Sequence, residues 1–142
     1  MNWVLNIFKA FLVLTFVLVS AQVFAGGGTK DADPEGVKYL ELYPNLVTNY
    51  PRTDGKTGFL SVGIQLKIQG AVNLDAVQKH TPLLQDALVW FLRSQTEETI
   101  KGAEKREDLR KEMLTLLDGK LKEETTQEGL VLDVLFTKYI WQ

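Results

Sequence analysis

The stretch FLSVGIQLKIQ, residues 59–69, decides the fold of this chain. Apolar side chains occupy alternate positions along it, and polar or small residues occupy the positions between them. Because successive side chains of a strand point to opposite faces of a sheet, this alternation predicts a strand with one buried face. The other face is turned to solvent or to a partner. The buried set is Leu60, Val62, Ile64, Leu66 and Ile68.

A second strand precedes this one. Residues 37–43 also alternate between apolar and polar or aromatic side chains, which predicts a short strand. Pro44 confines that strand to an edge of the sheet or interrupts it, since proline cannot donate a hydrogen bond to the ladder. Pro51 ends it, and the pair Asp54-Gly55 predicts a tight turn before the next strand.

Helical periodicity begins after the long strand. Residues 73–95 predict a helix whose first turn is capped by Asn73. Pro82 removes one backbone donor, so we expect a kink or a break near His80 and Thr81. Beyond the break, Val89 and Trp90 widen the apolar face, which predicts that the helix is covered on more than one side.

A second amphipathic helix is predicted over residues 103–122, after a cap candidate at Thr96. Its outer face carries alternating charges, and Gly119 is expected to end it early. The final segment, residues 130–141, predicts a strand that is apolar on both faces, which is typical of a central strand or of one covered by helices. The apolar stripe of the helix is Leu109, Met113, Leu116, Leu117 and Leu121.

The order strand, strand, helix, helix, strand predicts an α+β fold. We expect a small antiparallel or mixed sheet packed against two or three helices. An apolar membrane or signal segment precedes this body, over residues 1–25. Residues 26–36, rich in glycine and acidic groups, predict a flexible linker, and residues 37–142 form the folded domain.

The N-terminal segment has two interpretations. Residues 10–25 carry no charge, follow Lys9 and lead into small residues, which is typical of a secretory signal cut between Ala25 and Gly26. Residues 3–25 are also long enough to remain as an uncleaved membrane anchor. Both interpretations send the C-terminal part across the inner membrane. The central apolar residues of this segment are Phe11, Leu12, Val13, Leu14, Phe16, Val17, Leu18 and Val19.

Composition excludes several classes of protein. The formal net charge of −2 offers no basic excess for a phosphate backbone, so we expect no nucleic-acid partner. The chain has no cysteine and one histidine, which excludes disulfides, thiolate sites and histidine-rich metal sites. We predict no cofactor, no metal and no small-molecule substrate.

Catalytic candidates are equally scarce. His80 has no second histidine or cysteine to assist it. Glu97 and Glu98 are neighbours on a helix and therefore point apart, which does not suit a carboxylate pair in acid–base catalysis. The sequence thus predicts a binding or structural protein and not an enzyme. Aromatic residues, which are enriched at protein interfaces, are the strongest indication of a binding surface in the sequence. Core packing and self-association are the competing explanations for them. These residues are Tyr39, Tyr43, Tyr50, Tyr139 and Trp141.

Three segments together resemble the flagellar basal-body family FliL. The strand FLSVGIQLKIQG is similar to the long central strand of that family. The segment TPLLQDALVWFLRSQTEETI, residues 81–100, is similar to its helix with the pattern P-x-I-R-D-A-L-x-x-L-L-S. The helix EDLRKEMLTLLDGKL precedes VLDVLFTKYIWQ, residues 131–142, which resembles the C-terminal pattern V-x-D-V-x-F-T-x-x-x-x-Q. The resemblance covers residues 37–142.

This resemblance implies a location and a role. Proteins of the family are single-pass inner-membrane proteins whose periplasmic domain is similar to stomatin-type domains. They associate with the flagellar stator, form homo-oligomeric rings around it, and support motor torque, swimming, swarming and chemotaxis. The corresponding interface candidates in this chain are Asp86, Arg93, Asp133 and Phe136. The alternative is a periplasmic scaffold or binding module of another envelope complex.

Overall fold

The computed structural model describes residues 33–142 of the chain. Their three strands form one antiparallel sheet in the order β1-β2-β3, with β1 at Val37–Pro51, β2 at Thr57–Gln69 and β3 at Val131–Trp141. The predicted membrane or signal segment, with its cleavage point at Ala25 and Gly26, lies outside the described residues.

Four helices lie between β2 and β3 in this part of the chain: α1 (Ala71–Lys79), α2 (Thr81–Arg93), α3 (Glu97–Lys101) and α4 (Lys105–Thr125). The α+β class and the antiparallel sheet are confirmed, whereas the predicted number of two or three helices is too low. The first helical pattern divides at His80, as Pro82 in the first turn of α2 requires.

The long central strand provides the core. All five apolar residues predicted from its alternation are fully buried, so β2 is a half-buried strand as expected. Helices α2 and α4 cover this face of the sheet with buried side chains that recur at helical spacing. These helix residues are Leu84, Leu88, Leu92, Leu109, Met113, Leu117 and Leu121.

The hairpin between β1 and β2 agrees with its sequence signals. The Arg52 N–H donates to the Lys56 carbonyl at 3.0 Å, which leaves a three-residue loop between them. Gly55 closes that loop in the left-handed region at φ 78°, where a side chain would be strained. Pro44 does not end β1. The strand runs past it through two shifts of register at the edge of the sheet.

Two predicted helix boundaries are wrong. Helix α1 begins at Ala71, after Gly70 at a positive φ of 76°, so Asn73 lies inside the helix and is not its cap. Gly119 does not end α4, because Leu117 and Leu121 on either side of it are buried and hold the helix on the core. Tertiary packing offsets the cost of about 1 kcal/mol that a glycine imposes inside a helix.

The last strand, β3, lies at an edge of the sheet. The central position that its apolar pattern suggested is taken by β2. Helix α4 covers one face of β3, where Val131 and Val134 are buried. The other face of β3 is also apolar, but none of the described helices covers it, and Ile140 is 49% exposed there. The predicted cap at Thr96 is confirmed: its side-chain oxygen accepts a hydrogen bond from the Thr99 N–H at 3.2 Å.

Two glycine-to-alanine changes should act in opposite directions. A Cβ on Gly58 would lie 2.3 Å from the ring of buried Tyr50, whose hydroxyl is already bonded to the Gln142 carbonyl at 3.1 Å. We expect Gly58→Ala to lower the free energy of unfolding by about 1–3 kcal/mol. Gly119→Ala, which meets no atom within 4 Å inside α4, should raise it by up to about 1 kcal/mol. Urea denaturation of both variants measures the two shifts, and shifts of the same sign would contradict this packing.

Candidate interaction surfaces

An open groove runs between β3 and the first half of α4. It has a volume of about 610 Å³ and is lined by Arg106, Glu107 and Arg110 of α4 and by residues 135–139 of β3. We call it the β3–α4 groove. Its position beside the edge strand makes the backbone of β3 part of its wall.

Charged side chains of α4 line one wall of this groove. Arg110 donates two hydrogen bonds to Glu107, at 2.8 and 2.6 Å, and forms a second ion pair with Asp133. The hydrogen bond from Arg110 lowers the pKa of Glu107. The Arg106 guanidinium lies 4.6 Å from the ring centroid of Tyr139, at a distance typical of a cation–π contact.

Aromatic side chains form the base of the same groove. The Tyr139 hydroxyl donates to the Ile100 carbonyl at 3.0 Å, and its ring meets Phe136 edge to face at 5.2 Å. Burial raises the pKa of Tyr139. Phe136 packs against the core and Asp133 is held in its ion pair, so both of these predicted interface residues make intramolecular contacts.

A second groove lies between α2 and α4. Its volume is about 480 Å³ and its lining is mainly apolar, with Asp86 and Lys120 as the charged members. Trp90 lines it and is 64% exposed, so the expectation that Trp90 lies on a covered face is wrong. Its spacing could have shown this, because a residue two positions from buried Leu88 and Leu92 lies about 200° around the helix from each of them.

The other two predicted interface residues, Asp86 and Arg93, lie on α2 with Trp90. The Arg93 guanidinium is 5.5 Å from the Trp90 ring centroid, and Asp86 lies two helical turns before Arg93. The Tyr43 hydroxyl donates to the Gln85 carbonyl at 3.3 Å, and burial together with the charge of Asp86 raises the pKa of Tyr43. The structure thus places Asp86 on the α2–α4 groove and Phe136 on the β3–α4 groove. Arg93 lies beside Trp90, and Asp133 pairs with Arg110.

The sheet face opposite the helices is partly apolar. Val47 and Ile140 both pair with Ser61 of β2, and Phe59 follows along the same face. These three side chains are 60%, 49% and 53% exposed, respectively. Of the aromatics singled out by sequence, Tyr50 is buried, Tyr43 and Tyr139 are partly buried, and only Tyr39 and Trp141 are exposed.

Glu97 joins the hairpin loop to α3. Its carboxylate accepts hydrogen bonds from the Thr53 N–H at 2.7 Å, the Thr53 hydroxyl at 2.8 Å and Lys101 Nζ at 2.6 Å. The hydrogen bonds from Lys101 and then Thr53 lower the pKa of Glu97 to about 2. Glu98, the next residue, is exposed. Within residues 33–142 no group of three His, Cys, Asp or Glu side chains could hold a metal ion.

The part of this chain that is similar to known proteins is nearly the same as the part that forms the sheet and helices. Residues 39–142, which include nearly all of β1 and every later element, match the family described as flagellar basal body-associated protein FliL. This chain belongs to the FliL family. FliL is a flagellar accessory family and not a known enzyme family.

Two relatives show how far the similarity extends. The flagellar protein FliL of Aquifex aeolicus (strain VF5) is 32% identical over 114 residues, which are 80% of this chain and 66% of the relative. The flagellar FliL protein of Caulobacter vibrioides (strain NA1000 / CB15N) is 32% identical over 81 residues, 57% of this chain and 39% of the relative. The chain therefore spans about two thirds and two fifths of the lengths of these relatives.

Family membership places the protein in a flagellar and envelope-associated context. None of the helices in residues 33–142 combines the length and the apolar character that crossing a membrane requires. The described residues carry two open grooves and several exposed apolar side chains.

The Glu97 contacts should make stability depend on pH. Because the pKa of Glu97 falls from 4.5 to about 2 on folding, its stabilising effect is complete above pH 4.5 and is lost as the pH falls towards 2. We expect the melting temperature of Glu97→Gln to lie below that of the wild type at pH 7 and to converge with it by pH 2. Thermal unfolding at several pH values measures this. Glu98→Gln is the control, and a constant difference between wild type and Glu97→Gln would contradict the assignment.

Proposed function

We propose that this protein is an accessory component of the flagellar basal body that associates with the stator and supports motor torque, swimming, swarming and chemotaxis. The observation that carries the proposal is the FliL family match over residues 39–142. The exposed apolar side chains of the domain support it, since contact with large protein partners requires such surface.

The proposed location is the cell inner membrane. Residues 3–25 form a single anchor, residues 26–36 act as a linker, and the C-terminal domain lies in the periplasm. Support for this comes from the long uncharged stretch that follows Lys9, the one charged side chain in the first 29 residues. Cleavage between Ala25 and Gly26, which would release a periplasmic domain, is the alternative.

The proposed mechanism is a shift of population. Copies of the chain assemble as a homo-oligomeric ring around the stator and bind its engaged state more tightly than its free state. Binding of this kind moves the equilibrium towards the engaged state by as much as the two affinities differ. Torque then increases because more stators remain engaged, and no chemical step by this chain is needed.

Motility of a deletion strain tests the role. We expect filaments to assemble normally while swimming in viscous medium slows, because assembly does not need the protein and high load needs many engaged stators. Electron microscopy counts the filaments and cell tracking measures the speed. Complementation with the wild-type gene is the control. Unchanged speed under load, in a strain without a second copy of the gene, would contradict the proposal.

Site-specific crosslinking tests which proteins this chain contacts. Because the chain has no cysteine, a single introduced cysteine is the one thiol to which a crosslinker can attach. Single cysteines at Val47 and Trp90 sample the open sheet face and the α2–α4 groove, and a cysteine at Val72, 78% exposed on α1, is the control. We expect stator subunits to be captured from Val47 or Trp90 more than from Val72, by a chain whose mass includes the N-terminal segment. Capture of other envelope proteins by a chain that begins at Gly26 would favour the scaffold alternative.

A further inference from the structure

The backbone of β3 is open to another strand on one side. Phe59 and Gln142 exchange both of their backbone hydrogen bonds, at 3.0 and 2.9 Å. In an antiparallel ladder such pairs alternate with pairs that make no bond, so the peptide groups of Tyr139 and Trp141 point away from β2. Within residues 33–142, β3 has β2 as its only neighbouring strand. These peptide groups are therefore available at the free edge.

The opposite edge of the sheet, formed by β1, is less open than that of β3. Strand β1 contains Pro44 and Pro51, which cannot donate to a further strand, and its Leu42 carbonyl already accepts from Gln85 Nε2 at 2.7 Å. Both outer strands have two shifts of register against β2, but β3 contains no proline, and its residues 138–142 pair with β2 without interruption. These differences favour β3 as the edge for an added strand.

One cationic side chain of the β3–α4 groove is left without an ionic partner within residues 33–142. Arg110 is already paired with Glu107 and Asp133, and Lys138 donates to Asn45 Oδ1 on the sheet face away from α4. Arg106 forms no ion pair among the described residues, and its guanidinium lies over Tyr139 at the mouth of the groove. Arg106 is therefore the cation that the groove offers to an acidic side chain of an occupant.

We propose that the free edge of β3 binds an extended acidic segment of a partner protein as a fourth strand of the sheet. The main chain of the segment pairs with Tyr139 and Trp141, and alternate side chains face α4. An acidic residue opposite Tyr139 meets Arg106. The intervening side chains of the segment lie on the opposite face beside Ile140, which is exposed and apolar, so β-branched residues suit those positions.

A designed peptide tests this proposal with the full-length chain. The probe is a fluorescein-labelled peptide of alternating glutamate and valine, about six to eight residues long, a usual strand length. Fluorescence anisotropy measures its binding. One control peptide replaces glutamate by lysine, and a second carries N-methyl groups on the amides that would pair with β3. We expect the lysine peptide and the N-methylated peptide to bind at least about tenfold more weakly, a loss of about 1.4 kcal/mol.

Two protein variants separate the charge of the groove from the charge of the surface in general. Arg106→Glu should weaken binding of the acidic peptide by about tenfold or more. Lys79→Glu makes the same change of charge at the end of α1 and should have little effect. Equal effects of the two variants would overturn the proposal, as would failure of the acidic peptide to bind the wild-type chain at all. The peptide controls leave the protein unaltered and remain decisive if Arg106→Glu fails to fold.

Hydrogen exchange identifies the edge directly. On binding, the amide protons of Tyr139 and Trp141 should gain protection, while that of Ile140, already bonded to β2, should change little. Binding without protection at Tyr139 and Trp141 would mean that the peptide attaches by charge alone, and the proposal would be overturned. The assay contains no motor component, so its outcome is independent of the proposed flagellar function.

Discussion

Burial of one face of β2 is the interaction on which the rest of the structure depends. Its five apolar side chains are inaccessible to solvent between two strands and the helices. Each buried side chain of this kind contributes about 1.5–3 kcal/mol, so this strand outweighs any single surface contact. The position of β2 at the centre of the sheet follows from this, because a central strand has both of its edges paired and its apolar face fully covered.

Hydrogen bonds then fix the ends of the three strands to one another. The Gln142 carbonyl accepts from the Tyr50 hydroxyl of β1 and from the Phe59 N–H of β2, so the end of β3 is tied to both other strands. On the helical side, Glu97 links the hairpin loop to α3. These contacts hold a small domain together at points where hydrophobic burial is limited.

The surfaces left by this architecture differ in kind. One sheet face carries exposed apolar side chains, the α2–α4 groove carries Trp90, and the β3–α4 groove combines cationic side chains with a free strand edge. The proposed contacts with other proteins of the basal body would use surfaces of these kinds. At the other edge of the sheet, Pro44 opposes pairing of β1 with a further strand.

The sequence by itself determined the α+β class, the buried face of β2, the turn at Gly55 and the break before Pro82, because each depends on local periodicity or on backbone restrictions of single residues. Its pattern was also sufficient to identify the family. Only the tertiary structure decided that β3 lies at an edge, that α4 continues through Gly119, and that Trp90 is exposed. The tertiary structure also placed two of the predicted interface residues on different grooves, Asp86 between α2 and α4 and Phe136 between β3 and α4. An apolar side chain contributes to the sequence pattern in the same way whether or not another helix or strand covers it. Which elements become neighbours is decided by packing between residues that are far apart in the sequence.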